Sequence, residues 1–160
     1  MAPGLRSIGL MVAASLALAG TAALGAEPIA TGYTNWDDIT LEVMSVERKG
    51  SVLTVKWAVR NEGEAKQAVA FGLLGGNART YVVDEESGTK YFVLTDEDNA
   101  CLASESEYVG PSATGIRDEV QAGKIKRYWM KLPAPPPEVA TLTIFFDETE
   151  PLEEVPITDK

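Results

Sequence analysis

Leu53, Val55, Trp57 and Val59 alternate with Thr54, Lys56 and Arg60. A period of two suits a half-buried strand, in which successive side chains point to opposite faces of a sheet, and it suits no helix. The register of such a strand is tightly specified, because a slip of one residue would carry Lys56 and Arg60 into the core and Trp57 into solvent. A chain that holds this run must build a sheet with one apolar face and then find a second layer to cover that face.

The same period recurs along the chain. Ile39, Leu41 and Val43 alternate with Thr40 and Glu42, and Lys49-Gly50 reads as a tight turn because glycine accepts the positive φ that such turns need. Asn61-Glu-Gly63 closes the second run. Val69, Phe71 and Leu73 suggest a third strand, Gly75-Gly-Asn77 a turn, Tyr81 and Val83 a fourth strand, and Tyr91 and Val93 a fifth beyond the acidic hairpin Asp84-Glu-Glu-Ser-Gly88. Asp96-Glu-Asp-Asn99 turns the chain again, towards Cys101-Leu102. Residues 103–119 are rich in Ser, Glu, Gly and Pro without sustained periodicity, and read as the longest loop. Tyr128, Met130 and Leu132 then share a face, as do Leu142, Ile144 and Phe146, on either side of the stiff corner Pro133-Ala-Pro-Pro-Pro137. Glu154-Val-Pro-Ile157 is expected at a sheet edge, because Pro156 has no N–H for a central ladder. The expectation is an all-β sandwich of about seven to eight strands spanning residues 39–160. Residues 27–38 form a loose leader before it, broken by Pro28 and Gly32 and pinned by Tyr33 and Trp36.

Residues 1–26 read as an export signal. Arg6 gives the positive start, Ile8 to Ala19 the apolar stretch, and Ala23-Leu-Gly25 the small residues before a cleavage site at Gly25 or Ala26. Ser15, Gly20 and Thr21 interrupt the run, which is short for a membrane helix needing about 20 apolar residues. Thr21 stands where a lipoprotein signal would carry its cysteine. The expected location is therefore the periplasm or the medium, with no membrane insertion after cleavage. About 135 residues remain, the size of one domain. Of the 14 basic residues only Arg6 is lost, against 24 acidic ones, a balance that argues against nucleic acid and anionic membrane as partners. Cys101 is the one cysteine, so no disulfide can form within the chain, and there is no histidine, the commonest general base and metal ligand.

Three stretches together carry a resemblance: Tyr81 to Asp96 with Cys101-Leu-Ala-Ser104, Gly123-Lys-x-Lys-x-Tyr-Trp-x-Lys-Leu-Pro-Ala-Pro-Pro-x-Glu-Val139, and Pro151-Leu-Glu-Glu-Val-Pro-Ile157. From about Ile39 to Ile157 the chain resembles exported bacterial immunoglobulin-like domains of unknown function. The resemblance implies an immunoglobulin-like β-sandwich that stands alone or precedes a peptidoglycan-gripping domain of the outer-membrane-protein-A type. It implies no catalytic residues. With Lys160 as the last residue, the expectation is a chain with no anchoring domain of its own.

Few constellations offer chemistry. Asp96, Asp98 and Glu107 take the first, third and twelfth places of a calcium loop, but Cys101 holds the sixth place, where glycine is required. A looser calcium site joining Asp96, Glu97 or Asp98 to Asp84, Glu85 and Glu86 is the other arrangement, set against a plain solvated turn. Cys101 reads as a small buried hydrophobe, with a disulfide between two chains as its alternative. No cofactor, metal ligand set or catalytic residue is expected. The strongest surface candidate is aromatic. If Tyr128, Met130 and Leu132 point inward, Trp129 points outward beside Arg127 and Lys131. Phe145 faces away from Leu142, Ile144 and Phe146 on the next strand, and if the two strands pair the two rings share an outer face. With Pro135 and Pro136 of the corner, these residues form the expected interface of a non-catalytic binding module. The expected partner is a protein of the bacterial cell envelope. The alternatives are a glycan such as peptidoglycan, stacked on the same rings, and a calcium-dependent adhesion domain, with an enzyme the least expected.

Overall fold

The computed structural model describes residues 27–75, 78–104, 107–110 and 113–160, so the expected export signal and the expected turn at Gly76-Asn77 lie outside the described residues. Those residues contain no helix. Among the described residues twelve strands form three sheets. The first sheet has the order β1 (Ala30–Tyr33), β2 (Ile39–Lys49), β3 (Val52–Asn61), β9 (Ile125–Pro133), and the short β12 (Thr158–Asp159) lies parallel to the far end of β2. The second has the order β11 (Leu152–Pro156), β10 (Thr141–Phe145), β5 (Tyr81–Asp84), β6 (Thr89–Tyr91). The third has the order β4 (Gln67–Gly75), β8 (Ala113–Val120), β7 (Glu107–Gly110). All other pairings within the sheets are antiparallel.

The alternating run in β3 behaves as its pattern dictates. Leu53, Val55, Trp57 and Val59 are fully buried, and so are Met130 and Leu132 on the partner strand β9. Aromatic rings tie the three sheets into one core. Trp57 of the first sheet lies 5.7 Å from Phe71 of the third and 5.2 Å from Phe146 at the end of β10, while Tyr128 and Trp36 also meet Trp57 or Phe71 at 5.6 to 5.7 Å. Aromatic pairs in offset or edge geometry add about 1 kcal/mol each to the burial of their area.

Four parts of the sequence reading change. The segment 27–38 is more than a leader: β1 pairs with β2 from Ala30↔Val43 to Tyr33↔Thr40, and of the two expected pins only Trp36 packs, Tyr33 being exposed. On β5, Val82 is the residue pointing fully into the core, while Tyr81 turns outward and stacks on Phe145. The segment 103–119, expected as the longest loop, holds β7 and all but the last residue of β8. The inward phase of β8 runs Ile116, Asp118, Val120, and the charge in the middle hides the period of two. Asp118 is held there by Lys126 and by the hydroxyl of Tyr128. Gly115 sits so close to β4 that a Cβ would lie 2.1 Å from the carbonyl oxygen of Phe71, so no other residue fits. Finally, β9 and β10 do not pair, because the proline corner carries the chain from the first sheet to the second. The expected edge position of residues 154–157 is seen in β11, which ends the second sheet.

Crossing at that corner leaves carbonyls without partners, and Arg48 meets them. In β2 an extra residue, Met44, breaks the register between Val43↔Trp57 and Ser45↔Lys56. The inward phase moves from Ile39, Leu41 and Val43 to Val46 and Arg48. The buried guanidinium donates Nη1 to the carbonyls of Pro136 at 2.6 Å, Val139 at 3.1 Å and Pro135 at 3.4 Å. Its Nη2 donates to Pro137 O at 3.0 Å, and Nε and Nη2 together grip the carboxylate of Asp159 at 2.6 and 3.1 Å.

Replacing Arg48 with Ala is expected to cost about 3 kcal/mol, since it removes a buried donor group that holds four carbonyls and the Asp159 carboxylate at once. Urea unfolding should show this, and Asp159→Ala should cost clearly less, because that carboxylate is largely exposed. Asp118 gives a pH signature. Burial opposes its charge, but Lys126, the Glu119 N–H and the Tyr128 hydroxyl outweigh burial and hold it below the usual carboxylate range. A carboxyl with a folded pKa below its unfolded one adds stability above the unfolded value and loses it as pH falls through the folded one. Asp118→Asn should therefore be less stable than the wild type at pH 7, with the gap closing as pH drops below about 4 in a series of melts.

Candidate interaction site

The outer face of the first sheet is built by the residues that alternate with the core. The register across β2, β3 and β9 places them in three rows: Glu42–Ala58–Arg127, then Met44 and Ser45–Lys56–Trp129, then Glu47–Thr54–Lys131. Met44 keeps the outward phase of Thr40 and Glu42 and sets a long apolar side chain beside Lys56, and the bulge brings Ser45 out next to it. Together Met44, Thr54, Lys56, Arg127, Trp129 and Lys131 surround a shallow depression of about 590 Å³.

Trp129 is 40 % exposed, one of the few large apolar side chains the described residues leave open to water. Lys131 Nζ lies 5.9 Å from the centre of its ring, within reach of a cation–π attraction. Arg127 and Lys131 have no carboxylate within 4 Å among the described residues, and Lys56 has one weak contact, to Glu47 at 3.5 Å. The depression thus joins an aromatic plane to three cations with little internal compensation. That is the chemistry for a flat or apolar group carrying negative charge.

The edge beside this face is closed. Trp129 N–H donates to Ser104 Oγ and its carbonyl accepts from Ser104 N–H, both at 2.8 Å. Lys131 N–H donates to Leu102 O, and its carbonyl accepts from Leu94 N–H. Backbone groups that would otherwise invite another strand are satisfied at these positions.

The remaining expected residues are scattered. Phe145 lies on the second sheet, not beside Trp129; it stacks with ring centres 4.7 Å apart on Tyr81, whose ring also meets Phe92 and lies under Lys90. Pro135 is buried and Pro136 exposed, and their carbonyls serve Arg48. Of the six expected interface residues, the structure gathers Arg127, Trp129 and Lys131. Met44, Thr54 and Lys56 are the additions. Lys56 and Thr54 were readable as the polar face of β3, but nothing local in the sequence shows that β9 is the neighbour of β3.

The acidic turns are folded around their own backbone. Asp96 Oδ1 accepts from the N–H groups of Asp98 and Ala100, and Asp84 accepts from Glu86 N–H and Ser87 Oγ. Among the described residues no three ligating side chains gather as a metal site, and the side chain of Glu107 lies outside them. Cys101 is buried in the core cluster. No protein-family model matches the chain, and neither does any curated protein or solved structure.

Because its ring stands outside the core, Trp129→Ala should change folding stability by less than about 1 kcal/mol. Thermal or urea unfolding checks this, and Trp57→Ala, at the centre of the aromatic cluster, should cost about 3–5 kcal/mol in the same measurement.

Proposed function

We propose that this chain is a non-catalytic exported binding module, an immunoglobulin-like β-sandwich working in the periplasm or beyond. Its work is a protein contact in the bacterial cell envelope, made through the outer face around Trp129. The observation that carries the reading is the open Trp129 ring set among Arg127, Lys131 and Lys56 on a chain of formal net charge −10. Tryptophan and arginine are the residues most enriched among those that dominate binding energy at protein interfaces. Covering the open part of the indole alone is worth about 2 kcal/mol. The cations favour an acidic partner surface and speed its encounter.

A neutral glycan is the weaker reading. Sugar hydroxyls are held by amides and carboxylates as well as by stacking, whereas the side chains around Trp129 offer cations and the hydroxyl of Thr54.

The test is photo-cross-linking in living cells, with a photo-reactive residue in place of Thr54 at the rim of the depression. A discrete protein adduct is expected, reduced at least about 30-fold in yield by Trp129→Ala, which corresponds to a loss of roughly 2 kcal/mol. Trp129-dependent sedimentation with purified cell wall, without a protein adduct, would replace the protein reading with the glycan one. An adduct unaffected by Trp129→Ala would remove the face from consideration.

A further inference from the structure

The second sheet carries the opposite chemistry to the first. A groove of about 630 Å³ crosses its outer side, formed by the β5–β6 hairpin, the start of β10 and the edge strand β11. Asp84, Glu85, Glu86, Glu138, Glu153 and Glu154 line it together with Thr141 and Thr143, and no lysine or arginine does. Asp84 is engaged within its own hairpin, but the carboxylates of Glu85, Glu86, Glu138, Glu153 and Glu154 make no ion pair or hydrogen bond with a described residue. The depression at Trp129 is its converse, lined by three cations and no carboxylate.

The two regions point away from each other. Trp57, Met130 and Leu132 face the core from the first sheet, and Leu142, Ile144 and Val155 face it from the second, all within one cluster. Trp129 and Lys131 alternate with the former, and Thr141 and Thr143 with the latter. Each set of outward side chains therefore lies on its own side of the sandwich. A chain with a cationic aromatic face on one side and an acidic groove of similar volume on the other is complementary to itself by translation.

Resting on the reading of the Trp129 face given above, we propose that the protein seated on it is a second copy of this chain, which offers its acidic groove, so that copies associate head to tail. The contact is heterologous: the face of one copy is used while its groove stays free for the next. Association then continues past a dimer unless the rotation between copies closes a ring. The net negative charge of each copy opposes approach, but at about 0.15 M salt that repulsion is screened beyond roughly 8 Å, whereas the pairs formed in the contact lie inside that distance.

Sedimentation velocity on the full chain, purified from cells that express it, reads this directly over about 10 µM to 1 mM. At about 0.15 M salt the sedimentation coefficient is expected to rise steadily through and beyond the dimer value, and to fall back as salt approaches 1 M. Lys131→Glu on the face, and Glu85→Lys with Glu153→Lys in the groove, should each weaken association at least about tenfold. Mixing the two variants should restore association, because the unaltered face of one then meets the unaltered groove of the other and the substituted charges are again opposite in sign. A variant that had merely misfolded would not be rescued. A wild type that stays monomeric across the range overturns the second-copy proposal. If the Trp129-dependent cross-link to another protein persists in that case, the face keeps its role with a different partner; if that cross-link is also missing, the reading of the face falls with it.

Discussion

A guanidinium supplies the hydrogen bonds that a run of prolines cannot. The chain must leave the first sheet after Pro133 and enter the second at Thr141, and four of the five residues from 133 to 137 have no N–H. Such a corner cannot zip to a neighbouring strand as a hairpin would. Its carbonyls turn inward, and Arg48 meets four of them while holding the carboxylate of Asp159. Lysine would not replace it, since an ammonium offers three donors around a point whereas the guanidinium offers five in a plane. One side chain thereby sets the path between the sheets and ties the C-terminal strand β12 to β2, where Lys160 N–H adds a bond to Arg48 O.

Arg48 reaches that position only because β2 is bulged. Without the extra residue at Met44, the phase set by Ile39, Leu41 and Val43 would bring residues 45 and 47 inward and turn Arg48 to solvent. Met44, outward by the same phase as Thr40 and Glu42, and Ser45, which the bulge turns outward, join Lys56 and Trp129 in one row. One inserted residue thus places the anchor of the corner on the inside while Met44 and Ser45 both stand on the outer face. Between them the cluster of Trp57, Phe71, Tyr128 and Phe146 fixes the register of β3 and β9, and with it the spacing of the outer rows.

Strands whose apolar residues alternate cleanly were readable from sequence. β3, the first part of β2, β4, β9 and β10 all bury the residues that their period of two marks. β8 was not, because Asp118 occupies an inward place and is tolerated only through Lys126 and Tyr128, which lie on a different sheet. β1 was hidden because Gly32 reads as a break, whereas it sits within the strand, where a Cβ would lie 3.0 Å from the Leu152 side chain. The outward direction of Trp129 followed from its neighbours Tyr128 and Met130, but its companions did not. Alternation says which way a side chain points and nothing about which strand lies alongside. Adjacency in sequence favours pairing β9 with β10, and only the unsatisfiable backbone of the proline corner argues that the chain changes sheets there.

The mode of recognition proposed for the Trp129 face follows from where the structure is closed and where it is open. A strand at the margin of a sheet can bind a partner through its backbone edge or through its outer face, and the two make different demands. At Trp129 and Lys131 the edge is spent on Leu94, Leu102 and Ser104, so strand addition at those positions would first have to displace bonds within the chain. The face carries no such cover. A threonine at position 129 would serve the core equally well, since the residue points away from it, and would expose far less apolar surface. The fold therefore spends backbone hydrogen bonds on closing the edge while leaving an indole and three cations open on the adjoining face. Contact through side chains on the face, with charge choosing the partner and the ring supplying the area, is the arrangement that uses both facts.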